Sequence, residues 1–134
     1  MIGVLVVTHG SIGEALLTSA AQILGHPPQQ VATLSVWRQD DPDDLVLRAR
    51  ELLEGLDAGD GVLVLTDIFG ATPGNVVSRL LEDGRVEGVS GASLPMLLRV
   101  LTGRNGSLSA AVQRALSGGA EGVVHMNNDR CCDA

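Results

Sequence analysis

Apolar runs of five to seven residues alternate along this chain with longer stretches whose apolar positions recur at helical spacing. Ile2 to Thr8 is continuous and rich in β-branched residues, the pattern of a strand buried on both faces. Ser11 to Leu24 carries Ile12, Ala15, Leu16, Ser19, Ala20 and Ile23 on one helical face. Ser11 and Glu14 read as a capping box for that helix, and Gly25 before Pro27-Pro28 ends it. Val31 to Val36 is a second strand, and Trp37 to Asp41 a polar loop. Pro42 to Leu56 is a helix with acidic residues in its first turn, which suits the helix dipole. Gly61 to Thr66 is a third strand, again uniformly apolar.

Thr72 and Pro73 resemble a cap followed by a first-turn proline, opening a helix that runs to Glu82. Asp83-Gly84 turns the chain into a fourth strand, Val86 to Ser90. Leu94 to Leu101 and Ser107 to Leu116 are helices, the latter ended by Gly118-Gly119. Glu121 to Met126 reads as a short final strand, antiparallel to the others, and Asn127 to Ala134 as a frayed polar tail. The order predicts an α/β fold: a doubly wound, mostly parallel sheet with helices on both faces. A single domain over residues 1–126 is expected, with 127–134 outside it.

Composition sharpens this picture. Hydrophobic residues make up 45% of the chain, yet only Trp37 and Phe69 are aromatic, so the core is expected from Val, Leu, Ile and Ala. The net charge is −7, there is no lysine, and the nine arginines are scattered. That balance argues against nucleic acid and against anionic membrane surfaces, and would attract a basic protein partner. No segment reaches the ~18 apolar residues of a membrane span. No positively charged stretch precedes the N-terminal apolar run, so no signal peptide is read and a cytoplasmic location is expected. Cys131 and Cys132 are adjacent and cannot staple distant parts of a fold; they read as free thiols in an exposed tail.

The candidate chemistry gathers at strand ends. In doubly wound sheets the first and third strands are commonly neighbours, with crossover helices on opposite faces, and ligands bind in the crevice at their carboxyl ends. The residues there are Thr8-His9-Gly10-Ser11 and Asp67-Ile68-Phe69-Gly70-Ala71-Thr72-Pro73. A carboxylate bonded to one imidazole nitrogen fixes the tautomer and frees the other nitrogen as a nucleophile. His9 and Asp67 are therefore the candidate catalytic pair for phosphoryl transfer. Gly10, Ser11, Gly70, Ala71 and Thr72 are the candidate phosphoryl-binding set, through backbone N–H groups and hydroxyls.

A lone strand-end histidine is commonly structural and an aspartate after a strand commonly a cap; their joint position at the switch point favours chemistry. His26 in its turn and His125 in the last strand read as exposed and structural, respectively. Arg38, on the same sheet edge after Trp37, reads either as a phosphate or partner contact or as a plain surface arginine. There is no G-x-x-x-x-G-K-[ST], G-x-G-x-x-G or G-x-S-x-G, and no cluster offering three metal ligands.

These segments resemble a known family. Gly3 to Ser11 (G-V-L-V-V-T-H-G-S), Leu65 to Asn75 (L-T-D-I-F-G-A-T-P-G-N) and Gly91 to Leu97 (G-x-S-x-P-M-L) resemble the EIIA domain of the mannose-type phosphoenolpyruvate:sugar phosphotransferase system. The likeness covers essentially the whole chain, in order and spacing. It implies a phosphocarrier in which His9 accepts a phosphoryl group from phospho-HPr and passes it to an EIIB partner. It further implies that Asp67 orients His9 and that Thr72 helps hold the phosphoryl group. A homodimer is implied as well, partly through exchange of a C-terminal strand near Glu121 to Met126.

No metal or organic cofactor is expected, because such transfer is near thermoneutral and needs mainly alignment. Ile68 and Phe69 stand where polar and Trp residues are frequent in the family, and Ala71 replaces a frequent Gly. These departures bear on the partner surface. With no linker or EIIB segment following, a stand-alone EIIA domain is expected. Two related readings stay open on the same residues. One is the phosphocarrier subunit of dihydroxyacetone kinase. The other is a regulatory module whose phosphorylation reports phosphoenolpyruvate supply and switches a partner without moving sugar.

Overall fold

The strand β1 (Gly3–His9) has side chains buried on both faces, and the sheet is built outward from it. A computed structural model describes residues 1–128. Its order continues α1 (Ile12–Leu24), β2 (Val31–Val36), α2 (Pro42–Leu56), β3 (Val62–Thr66), α3 (Thr72–Ser78), β4 (Val86–Ser90), α4 (Leu94–Leu101) and α5 (Leu108–Glu121). The four strands are parallel, in the order β2-β1-β3-β4. The expected α/β doubly wound architecture is thus present. Alternation along the strands divides the core. Leu5, Val7, Val62 and Val64 face Leu45, Val46, Ala49, Val76 and Val77 of α2 and α3. Val4, Val6, Leu63 and Leu65 face Ala20, Met96, Leu97, Val100, Ala111 and Ala115 of α1, α4 and α5.

The first crossover helix therefore lies on one face and the second on the other. The chain reverses direction of winding at β1, and the switch point falls between β1 and β3. The register carries this to atomic detail. His9 pairs with Val36 at the end of β2, and Val7 pairs with Thr66, so Asp67 emerges beside His9.

Three local features differ from the expectations. The Ser11–Glu14 capping box does not form, because Ser11 makes no side-chain bond to the helix. Thr8, 1% exposed, caps α1 instead, its Oγ1 accepting from the Gly13 N–H at 2.8 Å. A Cβ on Gly13 would sit 3.1 Å from that hydroxyl oxygen, so the missing side chain lets helix and strand end close up.

Helix α3 stops at Ser78 rather than Glu82. Its last turn tightens through Arg79 N–H to the Val76 carbonyl and Leu80 N–H to the Val77 carbonyl, and Leu80 turns into the core.

The strand expected over Glu121 to Met126 is not present, and the prediction is corrected. Gly118-Gly119 does not end α5, which continues to Glu121. A Cβ on Gly118 would lie 2.7 Å from the Arg99 Cβ, so that glycine serves the close approach of α5 to α4. Arg99 then holds Glu121 at 2.7 Å. Residues 122–128 leave the helix without pairing to the sheet. Cys131 and Cys132, read as free tail thiols, lie outside the described residues. Among the described residues no helix is long and apolar enough to cross a membrane.

Asp57 ties the loop that starts β3, accepting from the Gly59 and Gly61 N–H groups at 2.8 and 3.1 Å and from Arg85 at 3.2 Å. The two backbone bonds, against the opposing effect of burial, hold its carboxyl below the ordinary aspartate range. A depressed folded pKa stabilises above the unfolded value, about 3.9, and the contribution is lost as pH falls through the lower folded value. Asp57→Ala should cost about 1–3 kcal/mol at neutral pH. Denaturant melts at pH 7 and pH 3 check this: the penalty should shrink at the lower pH, and an equal penalty at both would contradict the assignment.

Candidate functional site

Three consecutive strand ends build one cleft. β1 lies between β2 and β3, so His9 is flanked on one side by the residues after β2 and on the other by those after β3. His9, Val36, Trp37, Arg38, Asp40, Pro42 and Thr72 line an open cleft of about 500 Å³.

The central contact joins two strand ends. His9 Nδ1 lies 2.8 Å from Asp67 Oδ2, and the His9 backbone N–H donates to the same oxygen at 3.1 Å. The ring is 50% exposed and the carboxylate only 12%. Burial pushes the Asp67 carboxyl up, but the bonds from the His9 ring and the His9 backbone outweigh it. Its pKa lies below the ordinary aspartate value. Asp67 is therefore a carboxylate at neutral pH and can only accept, so Nδ1 carries the proton. Nε2 is left with its lone pair free. Thr66 Oγ1 stands 3.4 Å from the other carboxylate oxygen, a long contact.

The turn after β1 depends on glycine. Gly10 has φ +49° and donates its N–H to the Val36 carbonyl at 2.9 Å, locking the loop to β2. A Cβ there would meet the Trp37 ring at 3.2 Å, so the indole covers Gly10 because it has no side chain. Trp37 in turn is held by a tight loop: its N–H donates to Asp40 Oδ2 at 2.8 Å, and the Asp40 N–H to the Trp37 carbonyl at 3.0 Å.

His9, Asp67 and Thr72 come together at this cleft. Ser11 sits at the start of α1, exposed, with its hydroxyl free of the helix. Gly70 is exposed with φ +90°, and Ala71 is the extended residue that precedes α3. His26 and His125 are exposed and line no part of the cleft. Two contributions lie beyond the sequence reading: Trp37 is there a loop residue, and Thr8 is placed at the crevice but given no role of its own. The signal for Thr8 was available: a hydroxyl ending an otherwise apolar strand has to find a donor or acceptor nearby.

Comparison with known proteins agrees with this geometry. The family EIIA-man, described as "PTS system fructose IIA component", matches residues 3–116. The mannose-specific EIIAB component of Escherichia coli (strain K12) is 32% identical over 125 residues, covering 91% of this chain and 38% of that protein. The chain thus spans well under half the length of that relative. The fructose-specific EIIA component of Bacillus subtilis (strain 168) is 32% identical over 103 residues, covering 76% of this chain and 70% of that protein. Among solved structures, the phosphotransferase system component EIIA from Streptococcus agalactiae superimposes with a TM-score of 0.85 at 26% identity, covering 96% of this chain and 99% of the other. With a histidine held by a carboxylate at the switch point and a match over nearly all of its strands and helices, this chain belongs to the EIIA-man family of phosphotransferase system components.

Proposed function

We propose that this chain is a phosphocarrier that takes a phosphoryl group from phospho-HPr onto Nε2 of His9 and delivers it to an EIIB partner during carbohydrate uptake in the cytoplasm. The observation that carries the reading is the 2.8 Å bond between His9 Nδ1 and the Asp67 carboxylate. It keeps the proton on one ring nitrogen, immobilises the ring and leaves the other nitrogen as nucleophile. The Nε2 lone pair attacks the phosphorus of the donor's phosphohistidine in line. The new N–P bond forms as the donor's N–P bond breaks, and that electron pair returns to the donor's imidazole.

Positive charge that develops on the His9 ring is balanced by the Asp67 carboxylate, which already accepts the hydrogen bond from Nδ1. Release to the acceptor is the same step in reverse. Thr72 from one wall, the free Ser11 hydroxyl and the backbone N–H groups of Gly10, Gly70 and Ala71 are suited to hold the phosphoryl oxygens. Ile68 and Phe69, both exposed, offer apolar contact to a partner.

Phosphoenolpyruvate, enzyme I and HPr supplied together should add one acid-labile phosphoryl group, located on His9 by fragmentation mass spectrometry. No uptake from an HPr that labels a control EIIA would overturn the reading.

A homodimer is part of the proposal. Among the described residues β4 has β3 as its one strand neighbour, and on its outer edge a bridge from Glu82 takes up Val86 and leaves the rest of that edge open. Beside it Phe69, Leu81, Gly88 and Leu116 line a largely apolar groove. Val123, 85% exposed, and Met126 leave an apolar segment uncovered at the other end of α5. A second copy that lays this segment along the β4 edge would cover both. Light scattering after gel filtration should give twice the 13.9 kDa chain mass. V123D with V124D should shift it toward the monomer, and a monomeric parent chain at micromolar concentration would contradict the pairing.

A further inference from the structure

The cleft contains a cation with no partner among the described residues. Arg79, Arg85 and Arg99 each hold a carboxylate, Arg50, Arg104 and Arg114 are bonded to backbone carbonyls, and Arg48 lines a different cleft away from His9. Arg38 makes no hydrogen bond or ion pair among the described residues, although it stands in a chain of net charge −7. Its backbone is nonetheless fixed. It lies two residues after Val36, whose Cα is the register partner of His9, and it sits inside the Trp37–Asp40 turn closed by two hydrogen bonds. The neighbouring acid in the cleft, Asp40, is occupied by the Trp37 N–H at 2.8 Å. An anchored backbone, a free guanidinium and a shared wall with His9 and Thr72 describe a group waiting for an anion.

The electrostatics give that group a task. A phosphoryl group on His9 would stand next to the Asp67 carboxylate, with Asp40 lining the same cleft. That gathers negative charge at one site, and the repulsion favours loss of the phosphoryl group unless a cation offsets it. Guanidinium suits this, since its planar fork matches phosphoryl oxygens and stays charged at any working pH. We propose that Arg38 binds the phosphoryl group carried by His9, from the β2 side of the cleft and opposite Thr72. The inference rests on the phosphocarrier reading for its ligand. It adds the residue that stabilises the charged form of this particular chain within its own surface, before any partner contributes.

The test separates Arg38's contact with phosphate from contact with a partner. Inorganic phosphate is titrated into the wild-type chain and followed by the His9 ring resonances. R38A should weaken its binding about tenfold, with R38K in between. Phosphoramidate, a small donor, then labels His9: its N–P bond breaks, ammonia leaves, and the bond to Nε2 forms. R38A should take up the group about tenfold more slowly and lose it to water faster.

Unchanged phosphate affinity, uptake and lifetime in R38A would overturn the proposal. So would a defect seen with phospho-HPr alone, because Arg38 would then act on the partner. A wild-type chain that no donor labels would instead sink the phosphocarrier reading, while the phosphate titration would still decide for or against Arg38. The side chain is exposed, so R38A should melt with the parent chain, and thermal unfolding checks that.

Discussion

His9→Ala should abolish phosphoryl uptake, by at least about 10³-fold, while leaving the fold in place. The loss follows from the nucleophile itself, for which the cleft offers no substitute. Thr72 and Ser11 carry hydroxyls at the same strand ends, but no base is bonded to either side chain. Stability should change little. The ring is half exposed, and its removal forfeits one hydrogen bond at 2.8 Å while Asp67 Oδ2 keeps the backbone N–H. About 1 kcal/mol or less is expected. Intact mass after incubation with phosphoenolpyruvate, enzyme I and HPr reads the first effect, and a denaturant melt the second. Acid-labile label persisting at the parent level in the variant would move the site away from His9.

Asp67→Asn should be the second-largest effect, a fall in transfer rate of between about 10² and 10⁴-fold. The amide keeps the shape and can still accept from the backbone N–H of His9. It has no charge, so the ring loses the anion that balances it while the N–P bond forms. It also has an NH₂ face, which can turn toward Nδ1 and select the wrong tautomer. Rapid-quench labelling with phospho-HPr measures the rate, and the His9 ring resonances report the tautomer directly. A variant within about threefold of the parent would remove Asp67 from the chemistry and leave it a structural tie.

Much of this was readable in the chain. Buried parallel strands are continuous apolar runs, which is why the central strands β1 and β3 fall within one residue of where the pattern puts them. The acidic first turn marks α2 and the Thr72-Pro73 pair marks the start of α3. His9 and Asp67 could be paired in advance because both follow such strands and the order of elements makes those strands neighbours. What escaped was tertiary. Ser11-x-x-Glu14 satisfies a local capping rule, but Thr8 reaches the helix first because Gly13 lets the strand end lie against it. Gly118-Gly119 looks like a stop until α4 is present to fill the space beside it. Glu121 to Met126 has the composition of a strand, and strands need a neighbour. Trp37 could be assigned a role only once the Gly10 backbone was seen under its ring.

One carboxylate oxygen serves both the backbone and the ring of His9. The consequence concerns traffic in both directions. The entropy of fixing the imidazole is spent when the chain folds, so neither partner has to spend it again on arrival. A donor and an acceptor that approach at different times meet the same ring in the same pose. On the phosphocarrier reading, this contact by itself favours neither loading nor unloading. The direction of flow is then left to the concentrations and phosphorylation levels of the proteins on either side.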